Sequence, residues 1–309
     1  MKKNQYCEYM QKIVIIGSGP AGLSAGIALG RSGFPSTIIS GEKIGGQIID
    51  AVKVDNCPGF KIGSTGQEII DDLLNHVKTF NVNFINSNVI SVDFKKYPFE
   101  IILKNGNTLS AEAVIVATGK TQNQLLIPNS EKYLGYGLSY CATCDGPFFK
   151  NQDVCVVGGG DNAVKSAIFL ADIAKNIHIF VRGRSMRASF ENQQLLKTRK
   201  NIYIHFFAEI KKINGEKYIE DIDIIEEGIE KNMKINGIFV MIGSVPNTEI
   251  FENILTLDEQ KYIITDNMCR TNINGVFAAG DVQAKVFKQF PIAVGNGTTA
   301  AMAALAFLK

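Results

Sequence analysis

Three short strings hold the residues best able to do chemistry. Cys141-Ala142-Thr143-Cys144 spaces two thiols by two residues, and Asp145 follows directly. That spacing suits half of a zinc site, a redox disulfide, or two unrelated buried thiols. Zinc would need a second pair of ligands, yet Cys7, Cys57, Cys155 and Cys269 are isolated, and His76, His178 and His205 form no closely spaced pair. The dithiol is better read as a redox centre. Asp145 would then be a carboxylate that exchanges a proton as thiolate and thiol interconvert; otherwise it is a solvated turn residue ahead of Gly146-Pro147.

The other two strings are glycine turns. Gly17-Ser18-Gly19-Pro20-Ala21-Gly22 has the GxGxxG pattern between an apolar run at 13–16 and a helical pattern. In a dinucleotide site the first glycine makes the turn, the second lets backbone approach a pyrophosphate at the helix N-terminus, and the third allows close helix–strand packing. Glu42 lies 20 residues past Gly22, near the spacing of an acid that meets a ribose hydroxyl, although 41–47 also reads as a surface loop. Gly158-Gly159-Gly160-Asp161-Asn162-Ala163 is GxGxxA in the same setting. It is a second dinucleotide fingerprint or a structural turn whose ligand site has decayed.

The elements that must position these strings repeat. Residues 13–16, the first turn, a helix over 23–31 and a strand over 37–40 read as β-α-β. A helix over 66–80 follows, then alternating stretches at 82–94 and 98–103, a hairpin turn at 104–107 and a buried strand at 113–117. The pattern restarts with a strand at 154–157, a helix at 163–174 and a strand at 177–181. The two starts are about 141 residues apart. Alternating segments fill 202–240, a strand covers 238–243, and strand, turn and helix resume at 275–279 and 297–308. The tail is too short to be a domain, so the second β-α-β domain is expected as an insertion into the first. The expected fold class is α/β: two Rossmann-like, three-layer β/β/α nucleotide-binding domains, over 1–117 with 245–309, and over 118–244.

Composition narrows the function further. In 309 residues, 32 Lys and Arg against 30 Asp and Glu leave a charge of +2, which argues against a dedicated nucleic-acid binder. Six cysteines are too sparse for a disulfide scaffold. Lys2 and Lys3 precede an apolar run broken by Gly17, Gly19 and Pro20, so no signal peptide is expected. No window of about 20 unbroken apolar residues exists, and 300–308 is too short, so no membrane span is expected. These features suit a reducing, cytoplasmic setting. Cys57, Cys155 and Cys269 read as small buried hydrophobes, and Cys7 lies in a polar extension.

Taken in order, Gly17 to Gly22, Gly45-Gly46-Gln47, Asn56-Cys57-Pro58-Gly59, Ala117-Thr118-Gly119, Cys141-Ala142-Thr143-Cys144-Asp145-Gly146, Gly158 to Ala163, Pro246-Asn247 and 275–282 resemble the low-molecular-weight thioredoxin reductases over nearly the whole chain. These belong to the second class of pyridine nucleotide-disulfide oxidoreductases. The resemblance implies a homodimeric FAD-dependent enzyme that passes electrons from NADPH through FAD and a Cys141–Cys144 disulfide to thioredoxin. It also implies that the inserted domain swings between two poses. It makes Cys144 the thiol facing the flavin, Cys141 the thiol that attacks the partner disulfide, and Asp145 the acid–base. It places FAD against Gly17, Ser18, Gly19, Pro20, Ala21, Gly22, Gly41, Glu42, Gly46, Gln47, Asn56, Val89, Ala117, Thr118 and Gly119. Gly280 and Asp281, with Lys288-Gln289-Phe290, would run along the ribityl chain and ring, where the family usually shows Arg-Gln-Ala. NADPH falls to Gly158, Gly160, Asp161, Asn162, Ala163, Arg182, Arg184, Arg187 and Gly243.

One stretch departs from that pattern. The family's 2′-phosphate clamp reads H-R-R-x-x-x-R-A, whereas this chain has Val181-Arg182-Gly183-Arg184-Ser185-Met186-Arg187-Ala188. Arg182 and Arg187 match, Val181 and Gly183 do not, and Arg184 comes one place late. A lost forked phosphate contact costs about 1.5–3 kcal/mol. A same-fold disulfide reductase taking electrons from NADH, ferredoxin or flavodoxin is therefore the alternative. A flavin redox sensor without turnover is the alternative of another class.

Overall fold

The computed structural model describes residues 10–41, 43–51, 54–285 and 287–309. Strand β1 (Met10–Ile16) leads through α1 (Pro20–Arg31) to β2 (Ser36–Ile39), then through α2 (Gly66–Lys78) to β3 (Val82–Ile85). Ile13, Val14 and Ile15 are fully buried, as a strand covered on both faces requires. The start of α2 is set by a capping box: Thr65 Oγ1 accepts from the Glu68 N–H, and the Glu68 carboxylate accepts from the Thr65 N–H. Its apolar face buries Ile69, Ile70, Leu73 and Val77. Strands β4 (Val89–Asp93), β5 (Phe99–Leu103) and β6 (Thr108–Val116) form an antiparallel meander, with the β5–β6 turn at 104–107. β7 (Lys120–Gln122) then leads away.

The next stretch holds β8 (Leu138–Ser139), α3 (Ala142–Asp145), β9 (Asp153–Val157), α4 (Asp161–Ala171), β10 (Asn176–Val181), α5 (Phe190–Leu196) and β11 (Ile202–Phe206). A second meander follows, β12 (Ala208–Asn214), β13 (Asp221–Glu226) and β14 (Ile229–Lys234), then β15 (Gly237–Val240) and β16 (Ser244–Pro246). β17 (Val276–Ala278) and α6 (Phe290–Phe307) close the chain.

The chain divides into two compact units, Met1–Thr121 with Val245–Lys309, and Gln122–Ser244. The first crossing falls a few residues later than the 117/118 expected. Thr118, Gly119 and Thr121 are held to the first unit by Asn247: Thr118 Oγ1 donates to Asn247 O at 2.8 Å, and Thr121 Oγ1 to Asn247 Oδ1 at 2.8 Å.

In the first unit the sheet runs β3-β2-β1-β6-β5-β4, and β17 also joins β6. Its β1–β3 part is parallel. β6 is the joint: residues 108–111 pair antiparallel with β5, and 114–116 pair parallel with β17. The second unit repeats the scheme, with a sheet β11-β10-β9-β15-β8 and a separate β12-β13-β14 meander. Each unit therefore sets a glycine turn where its first strand ends and its first helix begins, the expected arrangement.

The last helix begins at Phe290, earlier than the expected 297: its added turns are held against α1, where Ser24 Oγ donates to Val294 O at 2.8 Å, and Pro291 in the first turn needs no N–H partner. By length and composition this helix could cross a bilayer. It packs instead against α1, burying Ala293, Gly297, Ala300, Ala301, Ala303, Ala304 and Leu305. The close approach depends on Gly297, where a Cβ would stand 2.1 Å from the Ala21 carbonyl oxygen. Gly297→Ala is expected to destabilise the chain by about 1–3 kcal/mol. Gly295→Ala, whose Cβ meets nothing within 4 Å, is expected to be neutral or slightly stabilising. Thermal unfolding of the two variants checks this, and equal effects would refute the packing account.

Candidate active site

The dithiol is one helical turn. Cys141 caps α3, and the turn carries Cys144 back over it, so the two sulfurs are bonded with Cα atoms 5.3 Å apart. The Cys144 N–H donates to Cys141 Sγ at 3.2 Å, and the Asp145 N–H to Cys141 O at 3.1 Å. Gly146 seats the turn on α4: a Cβ there would lie 2.9 Å from Leu170 Cδ2. Ala142 joins the same core as Ala163 and Val164 of α4. One helix thus begins at the second glycine turn and supports the disulfide.

Asp145 is half-buried rather than a fully solvated turn residue. Its partial burial pushes its carboxyl above the usual range, opposed by a hydrogen bond from Ser139. Ser139 Oγ donates to Asp145 Oδ2 at 2.6 Å. Ser139 sits in the two-residue strand β8, and nothing in its spacing to the cysteines marks it as a partner of Asp145.

At the first glycine turn the chain approaches itself too closely for any side chain. Gly17 has φ +117°, and a Cβ on it would lie 2.3 Å from Ala117 O; one on Gly22 would lie 1.9 Å from Gly17 O. In front of the helix the space is open, since a Cβ on Gly19 meets nothing within 4 Å. Gly19 is the N-cap of α1, with no side-chain cap and no acid in the first turn. Free N–H groups facing open space fit the pyrophosphate of a dinucleotide.

Other expected FAD residues gather in this unit. Ser18 Oγ donates to Ser40 O at 2.9 Å, the Gly45 N–H to Ser18 O at 3.1 Å, and a Cβ on Gly46 would be 3.2 Å from Gly19 Cα. A Cβ on Gly280 would stand 2.9 Å from that of Ala21, so Asp281 follows a segment packed on the start of α1. Asn56 Nδ2 donates to Gln289 Oε1 at 2.9 Å, and Phe290 meets Phe60 edge-on at 6.1 Å. A Cβ on Gly41 would come 3.4 Å from Asn88 Oδ1, next to Val89 in β4. Gln47 is engaged with backbone, donating to Lys120 O at 2.8 Å. Asn247 Nδ2 donates to Thr118 O at 2.8 Å, and its N–H to Gly119 O at 3.0 Å. Glu42 lies outside the described residues, as does Cys7.

A cluster of charge that the sequence patterns did not reveal accompanies Asp281. Lys120 Nζ is 3.9 Å from its carboxylate. Lys288 lies over the Tyr262 ring at 4.1 Å and donates to Gln283 O. Burial pulls the Lys288 ammonium down to about 8 despite the attraction of Asp281, while burial raises the Asp281 carboxyl.

The second glycine turn copies the first. Gly158 has φ +139°, and a Cβ on it would meet Met241 O at 2.4 Å, while one on Gly160 meets nothing within 4 Å. Gly160 caps α4 without a side-chain bond. The Asp161 carboxylate turns aside to accept from Ser189 N at 2.8 Å and Asn192 Nδ2 at 2.6 Å. Asn162 Nδ2 reaches Met241 Sδ at 3.7 Å, Ala163 is fully buried, and Gly243 O accepts from Asn123 N at 3.1 Å. The arginine loop is folded back onto the turn, because the Arg187 and Ala188 N–H groups donate to Gly159 O at 2.7 and 3.0 Å. Arg182, Arg184 and Arg187 are exposed and form no ion pair among the described residues. An open helix start with three unneutralised guanidiniums nearby fits a phosphorylated nucleotide.

Among the described residues no group of three or more His, Cys, Asp and Glu is arranged to hold a metal. Two histidines with no close spacing in sequence do meet: His178 Nδ1 and His205 Nε2 are 3.0 Å apart on β10 and β11, and His205 Nδ1 is 2.8 Å from Glu226 Oε1.

Two dinucleotide-shaped turns and a CxxC disulfide followed by a half-buried carboxylate define a nucleotide-dependent dithiol–disulfide oxidoreductase. Residues 11–297 match the family model for pyridine nucleotide-disulphide oxidoreductase, and the chain belongs to that family. It is 38% identical over 304 residues to the thioredoxin reductase of Rickettsia conorii, covering 96% of this chain and 98% of that one. It is also 38% identical to a 34.2 kDa protein in the rubredoxin operon of Clostridium pasteurianum, covering 94% of this chain and 95% of that protein. The crystal structure of thioredoxin reductase from Streptococcus pyogenes MGAS5005 superposes with a TM-score of 0.93 at 32% identity, covering 97% of this chain and 99% of that chain.

The raised Asp145 carboxyl makes a signed prediction. Between its ordinary value and its value in the fold, the folded chain holds the extra proton, so stability falls as pH rises through that interval. Asp145→Asn is expected to remove that part of the fall, so that at pH 7 it is at least as stable as the native chain, while dithiol–disulfide exchange slows by about 10²-fold. Urea midpoints across acid to neutral pH, beside exchange rates, check both halves.

Proposed function

We propose that this chain is an FAD-dependent thioredoxin-disulfide reductase with NADPH as donor. The observation that carries the reading is the Cys141–Cys144 disulfide followed by the half-buried Asp145, on a turn packed against the helix that begins at the second glycine turn. The FAD residues would be those around Gly17 to Gly22, Gly46, Asn56, Thr118, Gly280, Asp281, Gln289 and Phe290. The NADPH residues would be Gly158 to Ala163 with Arg182, Arg184 and Arg187. Bound there, the two cofactors supply hydride and two-electron transfer.

The chain's own residues handle sulfur and protons. Once the disulfide is reduced, the Cys144 N–H that now faces Cys141 Sγ would stabilise a thiolate on Cys141. That thiolate attacks the thioredoxin disulfide, whose S–S bond breaks as a mixed disulfide forms. Asp145 takes the proton from Cys144. The Cys144 thiolate attacks Cys141 Sγ, restores the disulfide and releases the second thioredoxin sulfur, with Asp145 returning the proton. The dithiol loses two electrons and thioredoxin gains them. We also read the chain as a homodimer of the cytoplasm. Free, buried Cys57, Cys155 and Cys269 suit a reducing compartment.

A second donor reading rests on Gly183 and the displaced Arg184. Anaerobic mixing of the yellow protein with NADPH or NADH separates the two by loss of the oxidised flavin band. NADPH is expected to bleach it much faster. Arg182→Ala and Arg184→Ala are each expected to raise KM for NADPH by about 10–100-fold while leaving KM for NADH within about threefold. Equal rates with both donors, or bleaching by neither, would overturn the NADPH reading. A protein that passes electrons to no thioredoxin from any donor would overturn the reductase reading.

A further inference from the structure

We propose that Ser139 is a positioning residue for the dithiol chemistry, a buried hydroxyl that rotates to hold Asp145 in both of its protonation states. This deepens the reductase reading and rests on it for the role of Asp145. The geometry is a three-way junction at one oxygen. Ser139 Oγ lies 2.6 Å from Asp145 Oδ2, accepts the Cys141 N–H at 3.0 Å, and lies 3.3 Å from Cys141 O. Ser139 itself is buried, so its hydroxyl is held among these partners and away from bulk water.

A hydroxyl has one hydrogen and two acceptor positions. With Asp145 ionised, the Ser139 hydrogen points to Oδ2, a charge-assisted bond whose length suits O–H···O⁻, and the Cys141 N–H fills one acceptor position. When Asp145 carries the Cys144 proton on Oδ2, that O–H can donate to the second acceptor position of Ser139 Oγ. The Ser139 hydrogen then turns to Cys141 O, which already lies within reach. No heavy atom has to move. The carboxyl keeps its place while its proton comes and goes, and the backbone of Cys141, the attacking residue, is tied to the same junction. A buried acid without such a partner would be strongly biased to its neutral form and would make a poor base for Cys144. Replacing the hydroxyl harms the ionised carboxylate more than the neutral acid, so the pH at which Asp145 becomes competent as a base moves up.

The test follows single-turnover oxidation of the pre-reduced holoprotein across pH, by thioredoxin and separately by 5,5′-dithiobis(2-nitrobenzoate). Ser139→Ala is expected to move the acid limb of both profiles upward by about one pH unit. Ser139→Thr, which keeps the hydroxyl, is expected to return it toward its native position. In an Asp145→Asn background, with no carboxyl left to place, Ser139→Ala should add nothing. A Ser139→Ala profile that superposes on the native one, with only a lowered melting temperature, would overturn the proposal by showing a merely structural role. The native chain gives a second measurement that needs no substitution at 139. Its infrared difference against Asp145→Asn should show the protonated Asp145 carbonyl at a hydrogen-bonded position, and a free carboxyl band would equally overturn the proposal. If the native chain oxidises with the small disulfide but not with thioredoxin, the reductase reading fails, while the small-disulfide profiles still decide the role of Ser139.

Discussion

Both halves of this protein depend on one steric constraint, a main-chain approach so close that a single Cβ would break it. The end of β1 turns against Ala117 O, and the end of β9 turns against Met241 O, each through a glycine at positive φ. The approach does two things at once. It lets the first helix of each unit pack directly on its strand, and it leaves the helix N-terminus facing open space with N–H groups that no side chain satisfies. A pyrophosphate is the natural complement to such a surface, so the packing demand and the binding demand meet in the same few residues. α6 extends the constraint in the first unit by pressing Gly297 onto Ala21, one residue before Gly22.

The second unit adds the reactive sulfurs by economical means. α4 begins at the glycine turn and, further along, receives Gly146, so the CxxC turn is seated on the helix that starts at that turn. Local geometry then sets the chemistry. One helical turn joins the cysteines, an N–H meets the sulfur of Cys141, and a serine hydroxyl meets the carboxylate whose proton affinity burial raises. Electrostatics tune the first unit in the same fashion around Asp281. There Lys120 and Lys288 face Asp281, a half-buried acid, and burial pulls the Lys288 ammonium down to about 8.

The arginine loop is placed by tertiary contacts that a comparison of letters does not show. By alignment of letters, Gly183 is a missing contact. In the fold, the loop is pinned to Gly159 through the Arg187 and Ala188 N–H groups, and Asp161 ties Ser189 and Asn192 to the start of α4. Three arginines remain on this loop.

What the sequence determined by itself was whatever rests on local periodicity and backbone permissiveness. Continuous apolar runs mark strands buried on both faces, GxGxxG and GxGxxA mark turns that only small residues allow, and Cys-x-x-Cys places two thiols one helical turn apart. These signals act over a few residues, so the two β-α-β starts, the β5–β6 hairpin and the redox turn were all legible. Only the tertiary structure decided what long-range packing controls. It lengthened the final helix by pressing it onto α1, and it carried the first crossing past Thr121 through the side chain of Asn247. It brought His178 to His205 across adjacent strands, and it gave Asp145 the buried Ser139 hydroxyl as its partner. Those outcomes depend on which surfaces meet and how much water they exclude, and neither residue identity nor spacing along the chain encodes that in a readable form.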